Sequence, residues 1–228
     1  MKKFLLLAIL FIIPETGFGH ASHYKDFKKI EMEIFKDGKK IGESIYEFNY
    51  VNDILNVTNK TNFEVKLLGI KIFSIKSNGI EQYQNDKLLS YNSRTLQNDK
   101  KKFVNLKYNE QDKYYEIKGS SFSGKVNSEH VIGNWWNHKI LQSETQISPL
   151  SGSIKDQIVN FIKKEKIIIN GKEYTVHKFS LKSKDENLNE NKKLDFIIWL
   201  ETKKNLIIKV RYEKMGTWEY ILKDVIMK

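Results

Sequence analysis

The alternation of residues 56–67 restricts the fold more than any other feature of this chain. Val57, Asn59, Thr61, Phe63, Val65 and Leu67 share one side of an extended strand, while Asn56, Thr58, Lys60, Asn62, Glu64 and Lys66 share the other. Side chains of a strand alternate between its faces, so this pattern predicts a strand with one face wholly polar and in water. The same period recurs. Val104, Leu106 and Tyr108 alternate with Phe103, Asn105 and Lys107, and Tyr115 and Ile117 alternate with Glu116 and Lys118. Residues 196–200 and 206–208 are apolar on both sides and predict strands covered on both faces.

Turn chemistry separates these runs. Asp37-Gly38 and Asn170-Gly171 supply the positive-φ pair of a two-residue hairpin turn. Asn85-Asp86, Asn98-Asp99, residues 203–205 and Met215-Gly216 divide the rest. This spacing predicts about eleven or twelve strands joined by short loops, so that neighbours in sequence pair antiparallel. So many strands cannot stay flat; they curl or close. The expected architecture is an all-β, mainly antiparallel curved sheet or incomplete β-barrel.

One stretch breaks the period. Residues 131–141 contain Gly133-Asn134-Trp135-Trp136-Asn137-His138, and a short helix near 134–142 would set Trp136, Ile140 and Leu141 along one side. It reads as a helical connection between two halves of the sheet, covering part of the concave face. Large aromatics at such a place cover the end of a sheet. The sharper expectation is a ligand groove under this cover, with Trp135, Trp136, Trp199 and Trp218 as its binding residues. Gly42 and Gly69 are expected at bulges or bends.

The chain opens Met1-Lys2-Lys3, continues with ten apolar residues at 4–13, is broken by Pro14, and then offers small residues at Gly17, Gly19 and Ala21. That order is the secretory pattern. Ten residues rise about 15 Å as a helix, half of a bilayer core of roughly 30 Å. The reading is a signal peptide over 1–21, cleaved near Ala21, and one β domain over 22–228, placed in the periplasm or secreted. Cysteine is absent, so neither a lipid-bearing cysteine nor a disulfide is available, and burial alone must hold the domain.

Four segments carry a likeness: Phe35-Lys36-Asp37-Gly38-Lys39-Lys40-Ile41-Gly42, Leu67-Leu68-Gly69-Ile70-Lys71-Ile72-Phe73, Ser90-Tyr91-Asn92-Ser93-Arg94-Thr95 and Trp135-Trp136-Asn137. Their order and spacing resemble an uncharacterised bacterial exported β family, domain of unknown function 6134, over most of the chain. The resemblance implies export and a curved antiparallel sheet and brings no activity with it. A remoter likeness, of architecture alone, is to periplasmic lipoprotein carriers, which fold as incomplete β-barrels with a helical lid.

Catalytic and metal motifs are not evident. The five histidines, at 20, 23, 130, 138 and 177, have no ligand spacing. Neither Gly-x-Ser-x-Gly nor a glycine-rich phosphate loop occurs, and Ser151-Gly152-Ser153 reads as a plain turn. Carboxylates that meet only in space are not visible in sequence; Glu81, Glu129 and Glu144, set among aromatic or apolar residues, are the candidates. The net charge is +11, yet only Arg94 and Arg211 among the 39 basic residues are arginine. Nucleic-acid readers lean on arginine's planar fork, so nucleic acid is not an expected partner, and membrane contact is expected to be peripheral at most.

These readings lead to a non-enzymatic binder of a hydrophobic, acyl-chain or lipid-like ligand in a concave sheet, with no metal and no cofactor. The alternative is a structural or partner-binding envelope module with no small-molecule ligand. The third reading, an enzyme built from carboxylates alone, requires two acidic side chains meeting in a cleft.

Overall fold

The structure, a computed structural model, describes residues 22–190 and 192–228. The signal expectation at 1–21 lies outside the described residues. The first eight strands form a meander: β1 (Phe27–Lys36), β2 (Lys39–Val51), β3 (Ile54–Leu67), β4 (Ile70–Gln84), β5 (Lys87–Gln97), β6 (Lys100–Asn109), β7 (Tyr114–Gly119) and β8 (Ser123–Asn127). The second half comprises β9 (Val131–Ile132), β10 (Thr145–Ile147), β11 (Ile154–Ile169), β12 (Lys172–Ser183), β13 (Asp195–Glu201), β14 (Leu206–Glu213) and β15 (Thr217–Met227). All fifteen join one sheet, in the order β8-β7-β6-β5-β4-β3-β2-β1-β15-β14-β13-β12-β11-β10-β9. The count exceeds the expected eleven or twelve because β8, β9 and β10 are only five, two and three residues long, too short to carry a readable alternation.

Every ladder is antiparallel except the short β9–β10 pair. The two meanders are joined at the centre, where the first strand pairs with the last from Phe27↔Met227 to Lys36↔Trp218. The outer edges, β8 and β9, follow one another in sequence but share no ladder, so the sheet stays open there. Antiparallel order sends the turns alternately to two rims. One rim holds the turns at 37–38, 68–69, 98–99 and 214–216; the other holds those at 52–53, 85–86, 110–113, 170–171 and 202–205.

The alternation of β3 falls as expected, with Val57 and Phe63 buried and Lys60, Asn62 and Glu64 exposed. The doubly apolar strands are doubly covered. From β13 and β14, Trp199, Leu206 and Ile208 enter the largest apolar cluster, and Ile198, Ile207 and Val210 enter a second. Asn52, Asp53, Asn85, Asp86, Asn98, Asn170 and Asn205 take positive φ at the turns, as their short polar side chains permit. Gly42 lies at a register shift between β1 and β2. A Cβ there would collide with Asn62 O and with Phe63, so the bend needs glycine for close approach. Gly69 instead completes the β3–β4 turn, at φ 81°.

The interior is occupied by side chains. Ile30, Met32, Phe48, Leu55, Val57, Leu106 and Ile117 pack in the largest cluster, which also receives Trp136 and Tyr24. A polar belt crosses the middle of β2–β5. The Ser44 and Thr61 hydroxyls meet at 2.7 Å, those of Ser77 and Thr95 at 2.7 Å, and Asn59 Nδ2 donates to Ser44 Oγ at 3.2 Å. Buried polar groups are stable when paired in this way.

Candidate functional site

Alternation along β4 directs Ile75, Ser77, Glu81 and Tyr83 inward, and all are buried. A carboxylate at an inward position needs donors, because desolvation without them is costly. Glu81, 1 % exposed, has three. Oε1 accepts from Asn134 Nδ2 at 2.6 Å and from Trp136 Nε1 at 2.9 Å, and Oε2 accepts from the Tyr83 hydroxyl at 2.6 Å. Burial pushes its carboxyl pKa up, and the three hydrogen bonds pull against that rise.

Asn134 and Trp136 belong to the segment between β9 and β10, so Glu81 ties this segment to the sheet. The segment is a lid. Its helical part is shorter than expected, a 3-10 turn at His138–Leu141 whose N-terminal residue Asn137 accepts from Lys139 N through Oδ1 at 3.0 Å. The asparagines and the Trp135-Trp136 pair favour local hydrogen bonds and packing over a longer helix. The Trp136 ring meets Tyr24, Phe48 and Tyr83 edge-on, with centroids 4.9, 5.4 and 5.7 Å away. The Tyr24 hydroxyl donates to Trp136 O at 2.7 Å. On the other side Tyr46 OH accepts from Trp135 N at 3.4 Å, and burial holds the Tyr46 phenol up at about 12.

A crevice of about 820 Å³ opens beside the lid, on the rim where β8 and β9 fail to pair. Tyr83, Leu88, Tyr115 and Val131 give it apolar surface, and Glu129, Lys139 and Glu144 give it charge. Tyr83 belongs both to this wall and to the Glu81 knot. Of the three carboxylates singled out from sequence, Glu129 and Glu144 line the crevice, and Glu81 is buried behind Tyr83, outside its lining. His130 also lines it, and burial draws its imidazole pKa down. Among the described residues no three His, Asp or Glu cluster as metal ligands, and no helix is long and apolar enough to cross a membrane.

The four tryptophans occupy separate settings. Trp136 is buried in the lid knot. Trp135 turns to the second cluster, with Phe196 at 5.1 Å and Tyr220 at 6.1 Å. Trp218 lies at the opposite rim, stacked on Tyr212 at 5.7 Å and edge-on to Phe63 at 5.8 Å. Trp199 borders a smaller depression of about 290 Å³ with Ile167, Ile169 and Ile221, its Nε1 donating to Glu165 Oε1 at 2.8 Å. The residues that line the large crevice include none of the four. Tyr83, Tyr115 and Asn134 escaped the sequence reading. The available signal was Glu81 itself, an acid in register with Ile75 and Ser77 on an alternating strand, which had to have donors facing it.

Comparison with solved structures finds the same architecture elsewhere. A β-barrel-like protein of domain of unknown function DUF1849 from Brucella abortus superposes with a TM-score of 0.62 at 9% identity, over 89% of this chain and 98% of that one. Two others match more loosely, each with a TM-score of 0.37. A protein from Bacteroides fragilis described as exported, with a YmcC-like fold, is 9% identical and covers 88% of this chain and 99% of its own. A protein from Parabacteroides distasonis described as a lipoprotein is 10% identical and covers 88% of this chain and 95% of its own. No curated protein matches. The model of one family, "Domain of unknown function (DUF6134)", matches residues 32–223, and the chain belongs to that family.

Proposed function

We propose that the protein is a non-enzymatic exported binding protein that holds an amphipathic ligand in the crevice beside the lid. The observation that carries this reading is the crevice itself, whose volume of about 820 Å³ falls in the range of small-molecule sites, roughly 300–1,000 Å³. Its lining suits a molecule with an apolar part, such as an acyl chain, against Leu88, Tyr115 and Val131, and a polar part among Lys139, Glu129 and Glu144. Buried side chains and the polar belt of β2–β5 fill the concave face, which favours a ligand at the rim over one lying along the sheet. Export rests on the secretory pattern of residues 1–21. Glu81 has three donors on its two oxygens, an arrangement that supports a structural tie over a free acid or base.

The filled interior also favours a second reading, a partner-binding module without a small-molecule ligand. Native mass spectrometry of the protein as recovered from expressing cells, with lipid extraction of the same sample, separates the two. A stoichiometric adduct that is lost in Lys139→Glu supports the crevice. A bare mass in both proteins removes it and leaves the partner-binding module.

A further inference from the structure

The rim opposite the lid carries a second unexplained feature. The β2–β3 ladder ends at Gly42↔Phe63, and the β4–β5 contacts end where Asn98 N donates to Ser74 O. Beyond these points β3 and β4 pair only with each other, through Val65↔Phe73, Lys66↔Lys71 and Leu67↔Ile70. The result is a two-stranded arm that projects from the sheet. Its base is packed, with Phe73 edge-on to Trp218 at 6.2 Å. Its end is not. Leu67, Ile70 and Ile72 are more than half exposed, and Leu68 is 94 % exposed.

Leu68 also sits where turn chemistry does not ask for leucine. Among the described residues eleven non-glycines take positive φ; eight are Asn or Asp, one is Lys113, and the others are Leu68 and Met215. Asn or Asp serves such a position at lower conformational cost than a bulky apolar residue. Met215, at the β14–β15 turn, is 95 % exposed. These two are the most exposed large hydrophobics among the described residues, and both lie on the arm rim. Neither local geometry nor packing accounts for them.

The surrounding charge indicates what does. Residues 36–40, 64–71, 98–102 and 211–216 on this rim hold ten Lys or Arg and four Asp or Glu, and the β12–β13 connection adds three of each sign. On the lid rim, residues 52–53, 85–87, 110–113, 128–130, 170–172 and 202–205 hold five of each. On the arm, Lys66 and Lys71 stand opposite one another across the ladder, an arrangement of like charges that a bound anion relieves. Only Lys66 has a carboxylate close by, Glu64 Oε1 at 3.0 Å. A narrow convex tip offers little area to a protein groove, where a specific interface needs about 800 Å² per partner. Apolar tips backed by lysines match the interfacial layer of an anionic bilayer.

We propose that the arm rim is a membrane-contacting edge, at which Leu68 and Ile70, with Met215 of the β14–β15 turn on the same rim, enter the interface of an anionic bilayer while Lys66 and Lys71 lie against lipid phosphates. The test is flotation with vesicles of phosphatidylcholine alone and of phosphatidylcholine with phosphatidylglycerol. It uses protein recovered from exporting cells, whose mass shows residues 1–21 removed. The expected result is binding to the anionic vesicles that is weakened by salt and at least tenfold weaker on the neutral ones. Leu68→Asn, which suits positive φ and leaves the fold intact, should weaken it about tenfold, the scale set by exposing one leucine. The chain has no cysteine, so Ile70→Cys takes a single environment-sensitive dye, whose emission should shift to the blue on anionic vesicles only. Absence of binding, or equal binding by the wild type and Leu68→Asn, overturns the proposal and leaves a protein groove as the arm's counterpart.

Discussion

The two rims are built from the same hairpins and finished in opposite ways. On the lid rim the turns are polar, and the space between the half-sheets is stopped by Trp136, held by Glu81, Tyr24 and Tyr83. On the arm rim one hairpin outruns its neighbours and ends in Leu68-Gly69. The comparison shows that turn geometry and turn side chains answer to different demands. Asn85 and Leu68 have nearly the same φ, 46° and 50°, so the backbone does not distinguish them. What differs is the surroundings each side chain serves. At the lid rim Trp136 and Tyr83 turn inward to a core, and at the arm rim the turn residues Leu68 and Met215 stand almost fully in solvent.

Substitutions at the two rims should therefore differ sharply in cost. The largest effect is expected for Glu81→Ala. It leaves the Asn134 amide, the Trp136 indole and the Tyr83 hydroxyl as buried donors without this acceptor, at about 1–3 kcal/mol each. Urea unfolding should show a loss of about 3 kcal/mol or more, with a shift in tryptophan emission; a loss below about 1 kcal/mol would mean that the lid is not held by this knot. Next comes the pH dependence. Burial raises the Glu81 pKa, so the folded chain holds this proton more tightly than the unfolded chain does. The stability contributed by this group is fully present below the ordinary glutamate range and declines as pH rises through the raised value. Half-buried Glu31, hydrogen-bonded by Lys29, and exposed Glu213, hydrogen-bonded by Arg211, have lowered pKa values and act in the opposite sense, so the useful quantity is the urea-midpoint difference between the wild type and Glu81→Gln. That difference should fall with rising pH, and a flat difference contradicts the assignment. The smallest effect belongs to the arm rim: Leu68→Asn combined with Met215→Asn should melt within a degree or two of the wild type, or slightly higher, because the turns gain residues suited to positive φ. A large loss would show that the tips are packed after all.

The sheet was legible because its information is local. Alternation along β3 and the Asp37-Gly38 and Asn170-Gly171 turns each act over a few residues, and the structure follows them. The short strands β8, β9 and β10 were not legible, since two to five residues carry no period. The site was legible only in pieces. Glu81, Glu129, Glu144 and Trp136 stood out by type, but the meeting of Glu81 with Trp136 depends on the β4 register and on the lid crossing to β4, 55 residues away in the chain. Leu68 was visible as part of a family-like segment; its meaning required the ladder ends, which show that nothing covers it.

The pairing of β1 with β15 has a consequence for the order in which the molecule can be made. Of the fifteen described strands, the one that leaves the ribosome before the others stands eighth in the sheet, and one of its edges belongs to the one that follows all of them. Until residues 217–227 follow, β1–β8 can assemble as a meander but keeps that edge unsatisfied, the kind of edge that invites pairing with another chain. Closing the seam requires bringing together residues about two hundred positions apart, which slows folding. Lys228 N donating to Asp26 O at 2.9 Å is accordingly among the last bonds to form. That bond sets residue 26 against residue 228, so joining residue 228 to residue 22 and opening the chain in the 184–194 connection would turn the slowest contact into a local one.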